Sequence, residues 1–172
     1  MIPDKNSIQI RKGKKEDLPV ALDLIRELAL FEKAPEQVTN TVKDMEADGF
    51  GKNPVFNFYV AELEKQIVGI AVYFIKYSTW KGKCLYLDDL LVTEKHRGKG
   101  IGKKLFDQII TEAKSINAKQ LHWQVLDWNT PAIEFYKKYG ATIDAEWLDC
   151  KIQFDRGVGS SKSKFKSQIK NR

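Results

Sequence analysis

Two cysteines, two histidines and no long apolar run set the first limits on this 172-residue chain. Cys84 and Cys150 stand 66 positions apart without the close spacing of metal ligands, so neither a zinc site nor a disulfide framework is expected. His96 and His122 also lack a partner pattern, and no metal site is expected from them. Both cysteines read as buried, reduced thiols. No apolar run approaches the roughly 18 residues that a membrane span requires. Residues 1–6 carry no apolar core of a secretory signal. The expectation is a soluble, cytoplasmic protein without a membrane partner. Internal repeats are missing too, which sets aside solenoid architectures.

What the chain does have is a formal charge of +6, unevenly spread. Residues 1–154 carry 23 basic against 22 acidic side chains, a net of +1, whereas residues 155–172 carry 6 against 1, a net of +5. The body is nearly neutral, and the basic balance belongs to an end rich in Gly, Ser and Lys that reads as a flexible tail. Phe165 is the one aromatic residue of that tail, so a nucleic-acid partner is disfavoured despite the charge. The expected organisation is one domain over residues 1–155 and a basic tail over 156–172.

Periodicity then divides the body into elements. Residues 7–11 alternate like a first strand, and Leu18, Ala21, Leu22, Ile25, Leu28 and Ala29 mark one face of a helix over 16–32. Residues 41–48 read as a short helix stopped by Gly49, with Thr41 and Asp44 as a capping pair, after an exposed loop over 31–38. Runs rich in Val, Ile, Phe and Tyr over 56–63, 66–75 and 83–92 predict an antiparallel meander, the first two joined by a tight turn at Glu64-Lys65. Ile101, Leu105, Phe106, Ile109, Ile110, Ala113 and Ile116 return to helical spacing, and 121–126 reads as a strand, which completes a βαβ unit. Thr130 as N-cap with Pro131 opens a helix to about Tyr139, stopped by Gly140, and 141–154 can supply closing strands. The class is α/β with a mixed central sheet, antiparallel first and parallel in the middle, flanked by helices.

The stretch Arg97-Gly98-Lys99-Gly100-Ile101-Gly102 lies between a predicted strand and a predicted helix. Free N–H groups and the positive end of the helix dipole converge there, which makes an anion site. Glycines permit positive φ and a close approach of phosphate oxygens to the backbone. Lys99 and Lys103 could add charge. The Walker A pattern finds no match, and the dinucleotide pattern G-x-G-x-x-G fails because the third glycine is at 102 instead of 103. The stretch does fit R-x-x-G-x-G through Arg97, Gly100 and Gly102. An ordinary glycine-rich helix entry is the competing reading.

That motif is the signature of the GNAT superfamily, and four further blocks make the chain resemble the diamine (spermidine/spermine) N-acetyltransferases and their thialysine-acetylating relatives over residues 8–154. They are Leu24-Ile25-Arg26-Glu27-Leu28-Ala29 with Glu32, Glu36, Gln37 and Val38; Asp48-Gly49-Phe50-Gly51; Trp80, Gly82-Lys83 and Leu85-Tyr86-Leu87-Asp88-Asp89; and Asn129, Pro131, Phe135-Tyr136-Lys137 and Gly140-Ala141. The resemblance implies the GNAT fold, acetyl-CoA as co-substrate, a small cationic amine as acceptor and a homodimer.

It also implies roles. Leu90, Leu91 and Val92 match positions whose backbone pairs with the pantetheine arm, and an N–H near Val92 would serve the thioester carbonyl as an oxyanion donor. The turn, from Arg97 through Gly98, Lys99, Gly100, Ile101 and Gly102 to Lys103, would hold the pyrophosphate, and Asn129 matches a coenzyme contact. Tyr136 matches the general acid, since a phenol of pKa about 10 stays protonated at neutral pH. An alkylammonium is only about 0.1% neutral at pH 7, so the acceptor must lose a proton before attack. Asp88 matches a carboxylate that binds the amine and relays that proton through water, at a place where a glutamate is common. Glu32 matches a second carboxylate of the groove, Trp80 could lay its ring against the amine chain, and Phe31 stands where a tyrosine is usual. Glu146 and Trp147 border the same groove in a looser correspondence.

Three functions compete at this stage. The first is acetylation of a polyamine or diamine by direct attack in a ternary complex. The second is acetylation of thialysine or another lysine-like amine. The third, from a different class, is a non-catalytic module that holds nucleic acid with its basic tail.

Overall fold

Val60 and Tyr59 show how one strand serves two layers: Val60 joins an apolar cluster on one face of a sheet, and Tyr59 turns to the other face and donates to Glu112 at 2.6 Å. The computed structural model describes residues 7–154. They form two compact units, one reaching to Leu126 and one starting at Asp127. No helix among the described residues is long and apolar enough to cross a membrane. The basic tail over 156–172 lies outside the described residues.

The first unit contains β1 (Gln9–Lys12), α1 (Leu18–Phe31), α2 (Val42–Phe50), β2 (Asn57–Leu63), β3 (Gln66–Ser78), β4 (Gly82–Val92), α3 (Ile101–Ser115) and β5 (Gln120–His122). The strands lie in the order β1-β2-β3-β4-β5, antiparallel up to β4 and parallel between β4 and β5. The mixed sheet read from the sequence is therefore present. Leu18, Leu22 and Leu24 of α1 and Met45 of α2 pack on Phe58, Val60, Ile70, Val72 and Leu91. On the opposite face α3 buries Leu105, Phe106 and Ile109. The β2–β3 turn has Glu64 at φ 50° and Lys65 at φ 66°, the two successive left-handed residues of a tight hairpin.

Several boundaries differ from expectation. Helix α2 runs through Gly49 to Phe50, because Gly51 N–H still reaches Ala47 O; its expected cap is present, with Thr41 Oγ1 accepting from Asp44 N–H at 3.2 Å. Strand β3 continues to Ser78, paired with the start of β4 in a hairpin that leaves Ile75 and Tyr77 exposed, so burial gave no signal of its length. Strand β5 stops at His122 instead of Leu126, and its ladder with β4 spans only Cys84 to Tyr86.

The second unit holds α4 (Thr130–Lys137). Its N-cap is Asn129, not Thr130: Asn129 Oδ1 accepts from Ala132 N–H at 3.3 Å. Residues 141–154 contain no strand. Ile143, Trp147, Leu148, Ile152 and Phe154 are exposed there, and apolar spacing without a partner ladder does not make a sheet. Cys84 is buried as expected, whereas Cys150 is exposed on this strandless stretch.

Candidate active site

The glycine turn is built where β4 ends. After Val92 the chain makes a single 3-10 turn over Glu94–His96, then passes Arg97 and enters α3 at Ile101. Gly98 lies at φ 74° and Gly100 at φ 76°, a conformation costing other residues roughly 1–2 kcal/mol. A Cβ on either would meet nothing within 4 Å, and one on Gly102 would meet only Val92 Cγ2 at an ordinary 3.8 Å. The space above the turn is thus open to a group from outside the fold, and the first N–H groups of α3 have no acceptor in the preceding turn of helix. These features fit a pyrophosphate. Lys99 is exposed, and Lys103 donates to Asp107 at 2.7 Å.

Next to the turn, β4 offers a backbone edge. Its ladder with β5 ends at the pair Tyr86 and His122, and from Leu87 to Val92 it pairs with β3. Leu91 and Val92 bury their side chains while their main chain borders this opening, the geometry in which an extended arm can add as a strand.

Beyond that edge the ladder is irregular. Val72 pairs with Asp89 but Tyr73 pairs with Leu87, so Asp88 is an extra residue in β4. Alternation would send Asp88 and Asp89 to opposite faces; the bulge turns both to the side of α1 and α2. Both line a cavity of about 340 Å³ together with Ile25, Gln37, Thr39, Asn40, Phe56 and Phe74. A smaller cavity of about 180 Å³ shares Ile25, Gln37, Val38 and Asp89 with it and adds Glu32. Among the described residues, no Lys, Arg or His lines either.

Three carboxyl groups therefore bear on one region. Burial, then the negative charges of Asp88 and Glu32, push Asp89 up to about 7. Asp88 and Glu32 are more open to water, and partial desolvation raises each above the ordinary carboxylate value. The cluster can hold a cation and, through Asp89, accept a proton near neutrality. Sequence reasoning chose Asp88 and assigned Asp89 no role. The one signal was a pair of acidic residues inside an otherwise apolar strand.

The other expected site residues are placed as follows. Trp80 lies at the β3–β4 turn, 83% exposed, and lines neither cavity. Phe31 lies under the Arg97 guanidinium at 5.2 Å and also lines neither cavity. In the second unit, Tyr136 is buried on α4, its ring edge-on to Phe135 at 5.2 Å, and burial pushes its hydroxyl up to about 12. Asn129 spends its side-chain oxygen on the cap of α4 and keeps its Nδ2 donors. Glu146 and Trp147 are exposed.

Comparison with known proteins adds the following. Residues 22–141 match the acetyltransferase (GNAT) family. The thialysine N-epsilon-acetyltransferase of Bos taurus is 41% identical over 153 residues, covering 83% of this chain and 90% of that protein. The spermidine/spermine N(1)-acetyltransferase-like protein 1 of Homo sapiens is 36% identical over 140 residues, covering 77% of this chain and 20% of the human protein. Among solved structures, an aminoglycoside acetyltransferase from an uncultured soil metagenomic sample has the same fold, with a TM-score of 0.70 at 20% identity, covering 86% of this chain and 96% of that one.

Proposed function

The chain belongs to the acetyltransferase (GNAT) family, and on that footing we propose that it acetylates a primary amine of a small polycation, a diamine or polyamine, by direct attack in a ternary complex. It is an acetyl-CoA-dependent N-acetyltransferase acting on a small amine. The observation that carries the choice of acceptor is the cluster of Asp88, Asp89 and Glu32 around cavities that, among the described residues, no cationic side chain lines. Such a lining suits an acceptor with more than one ammonium and gives an α-carboxylate no counter-charge.

Bound acetyl-CoA supplies the thioester carbon that is attacked. Arg97 to Lys103 hold the pyrophosphate on the helix entry, Asn129 adds a contact, and the main chain of Leu90 to Val92 aligns the pantetheine arm. Asp88 and Glu32 bind the acceptor's positive charge. Asp89, near pH 7, takes the ammonium proton directly or through a water, freeing the nitrogen lone pair for attack. The Val92 N–H donates to the carbonyl oxygen as charge gathers there. As the C–S bond breaks, Tyr136 gives its proton to the sulfur, and the second proton lost by the former amine nitrogen restores the phenol; a phenol raised to about 12 is fully protonated at the working pH. Trp80 can lie along the aliphatic part of the acceptor. Direct attack is supported by Cys84, which is buried in the sheet and lines neither cavity. The resemblance further supports a homodimer.

A second reading, acetylation of thialysine, is favoured by the name of the bovine relative. Steady-state turnover of spermidine, putrescine and thialysine with acetyl-CoA separates the two. The proposal expects kcat/KM for a polyamine or diamine to exceed that for thialysine; the reverse order would establish the second reading, and negligible turnover of all three would defeat both.

A further inference from the structure

Helix α1 carries two jobs on two faces. Ile25, Leu28 and Glu32 line the acceptor cavities. Glu27 and Phe31, one helical turn apart, share a different face. That face meets the junction between β4 and the glycine turn. Glu27 Oε1 accepts from Glu94 N–H at 2.9 Å and lies 3.9 Å from Arg97 Nη2. The Arg97 guanidinium stands 5.2 Å from the Phe31 ring centroid, and its Nε donates to Val92 O at 2.9 Å.

We propose that Phe31 and Glu27 are positioning residues of the donor side, which fix the glycine turn through Arg97 and Glu94, and that Phe31 is not an acceptor contact. This rests on the reading of the turn as the coenzyme site. Arg97 is bracketed by a ring, a carboxylate and the Val92 carbonyl. Its planar guanidinium ties the strand end that carries the Val92 N–H to the loop that carries the phosphate-facing N–H groups. Both sets of donors must face one ligand at once, and a junction free to rotate would lose their alignment. Glu27 holds the other side of the junction by capping the first N–H of the Glu94–His96 turn. A tyrosine at 31 would keep the ring under Arg97; an aliphatic residue would not.

The test uses the full chain and coenzyme A itself as probe, in calorimetric titration, beside steady-state kinetics with acetyl-CoA and spermidine. Phe31→Leu and Glu27→Met are each expected to raise the coenzyme A Kd and the acetyl-CoA KM by about three- to ten-fold. The spermidine KM and the pH of the rising activity limb are expected to stay unchanged, and Phe31→Tyr to restore wild-type binding. Glu27→Met stands as the independent variant should Phe31→Leu fail to fold. A raised spermidine KM with coenzyme binding intact would overturn the proposal and return Phe31 to the acceptor side. Unchanged Kd in both variants would overturn it as well. No binding of coenzyme A by the wild-type chain would instead overturn the donor reading on which the proposal depends.

Discussion

Asp88 and Asp89 are successive residues of one strand, yet both line the same cavity, because a bulge opposite Val72 and Tyr73 adds one residue to β4. The consequence is electrostatic. Two carboxyl groups that regular alternation would separate are brought together, and burial, followed by the negative charges of Asp88 and Glu32, raises Asp89 to about 7. A carboxyl group so raised is matched to proton transfer at neutral pH, where an unperturbed aspartate of pKa about 3.9 would be a weak base.

The cluster titrates as a unit, so its acid limb should move when a member is neutralised. Glu32→Gln and Asp88→Asn each remove a negative charge that opposes ionisation of Asp89, so the rising limb of kcat/KM is expected to shift to lower pH in both variants. Each should also raise the KM for the amine. Profiles with spermidine between about pH 5 and 9 check the sign; a shift to higher pH would contradict the account.

Tyr136→Phe should lower the chemical rate by about 10²-fold, the usual effect of losing a general acid. Coenzyme A binding should survive, since the hydroxyl is assigned to the leaving sulfur. Single-turnover rates and calorimetric titration give the two halves of this expectation.

Gly100 and Gly102 should separate backbone need from ligand need. Gly100→Ala places a side chain at φ 76° and is expected to cost about 1 kcal/mol or more of stability. Gly102→Ala makes an ordinary contact in the fold, so thermal unfolding should barely change while coenzyme binding falls. Equal losses of stability in both would remove the argument that Gly102 is small for a ligand's sake.

Much of this was legible in the sequence for reasons of period. Leu18 to Ala29 and Ile101 to Ala113 announced α1 and α3, and Glu64-Lys65 announced the hairpin. Gly98, Gly100 and Gly102 announced the helix entry. The bulge was not legible: Leu85 to Val92 carries no glycine or other sign of an extra residue, and pairing across a ladder is a property of two strands. The length of β3 was hidden because its last turn is exposed, and 141–154 misled because apolar spacing reports a face without reporting what covers it. Phe31 was assigned to the groove by the resemblance alone, whereas its contact with Arg97 depends on where the β4 end comes to lie.

The most direct test of the central claim is the pH profile of kcat/KM for spermidine in the wild-type chain and in Asp89→Asn. The account predicts a wild-type profile that rises to a plateau with an apparent pKa of about 7, the proton going from bound ammonium to Asp89. In Asp89→Asn that limb should vanish and the rate at neutral pH should fall by about 10²-fold. A wild-type profile that keeps climbing toward the amine's own pKa of about 10, with Asp89→Asn close to wild type, would contradict it.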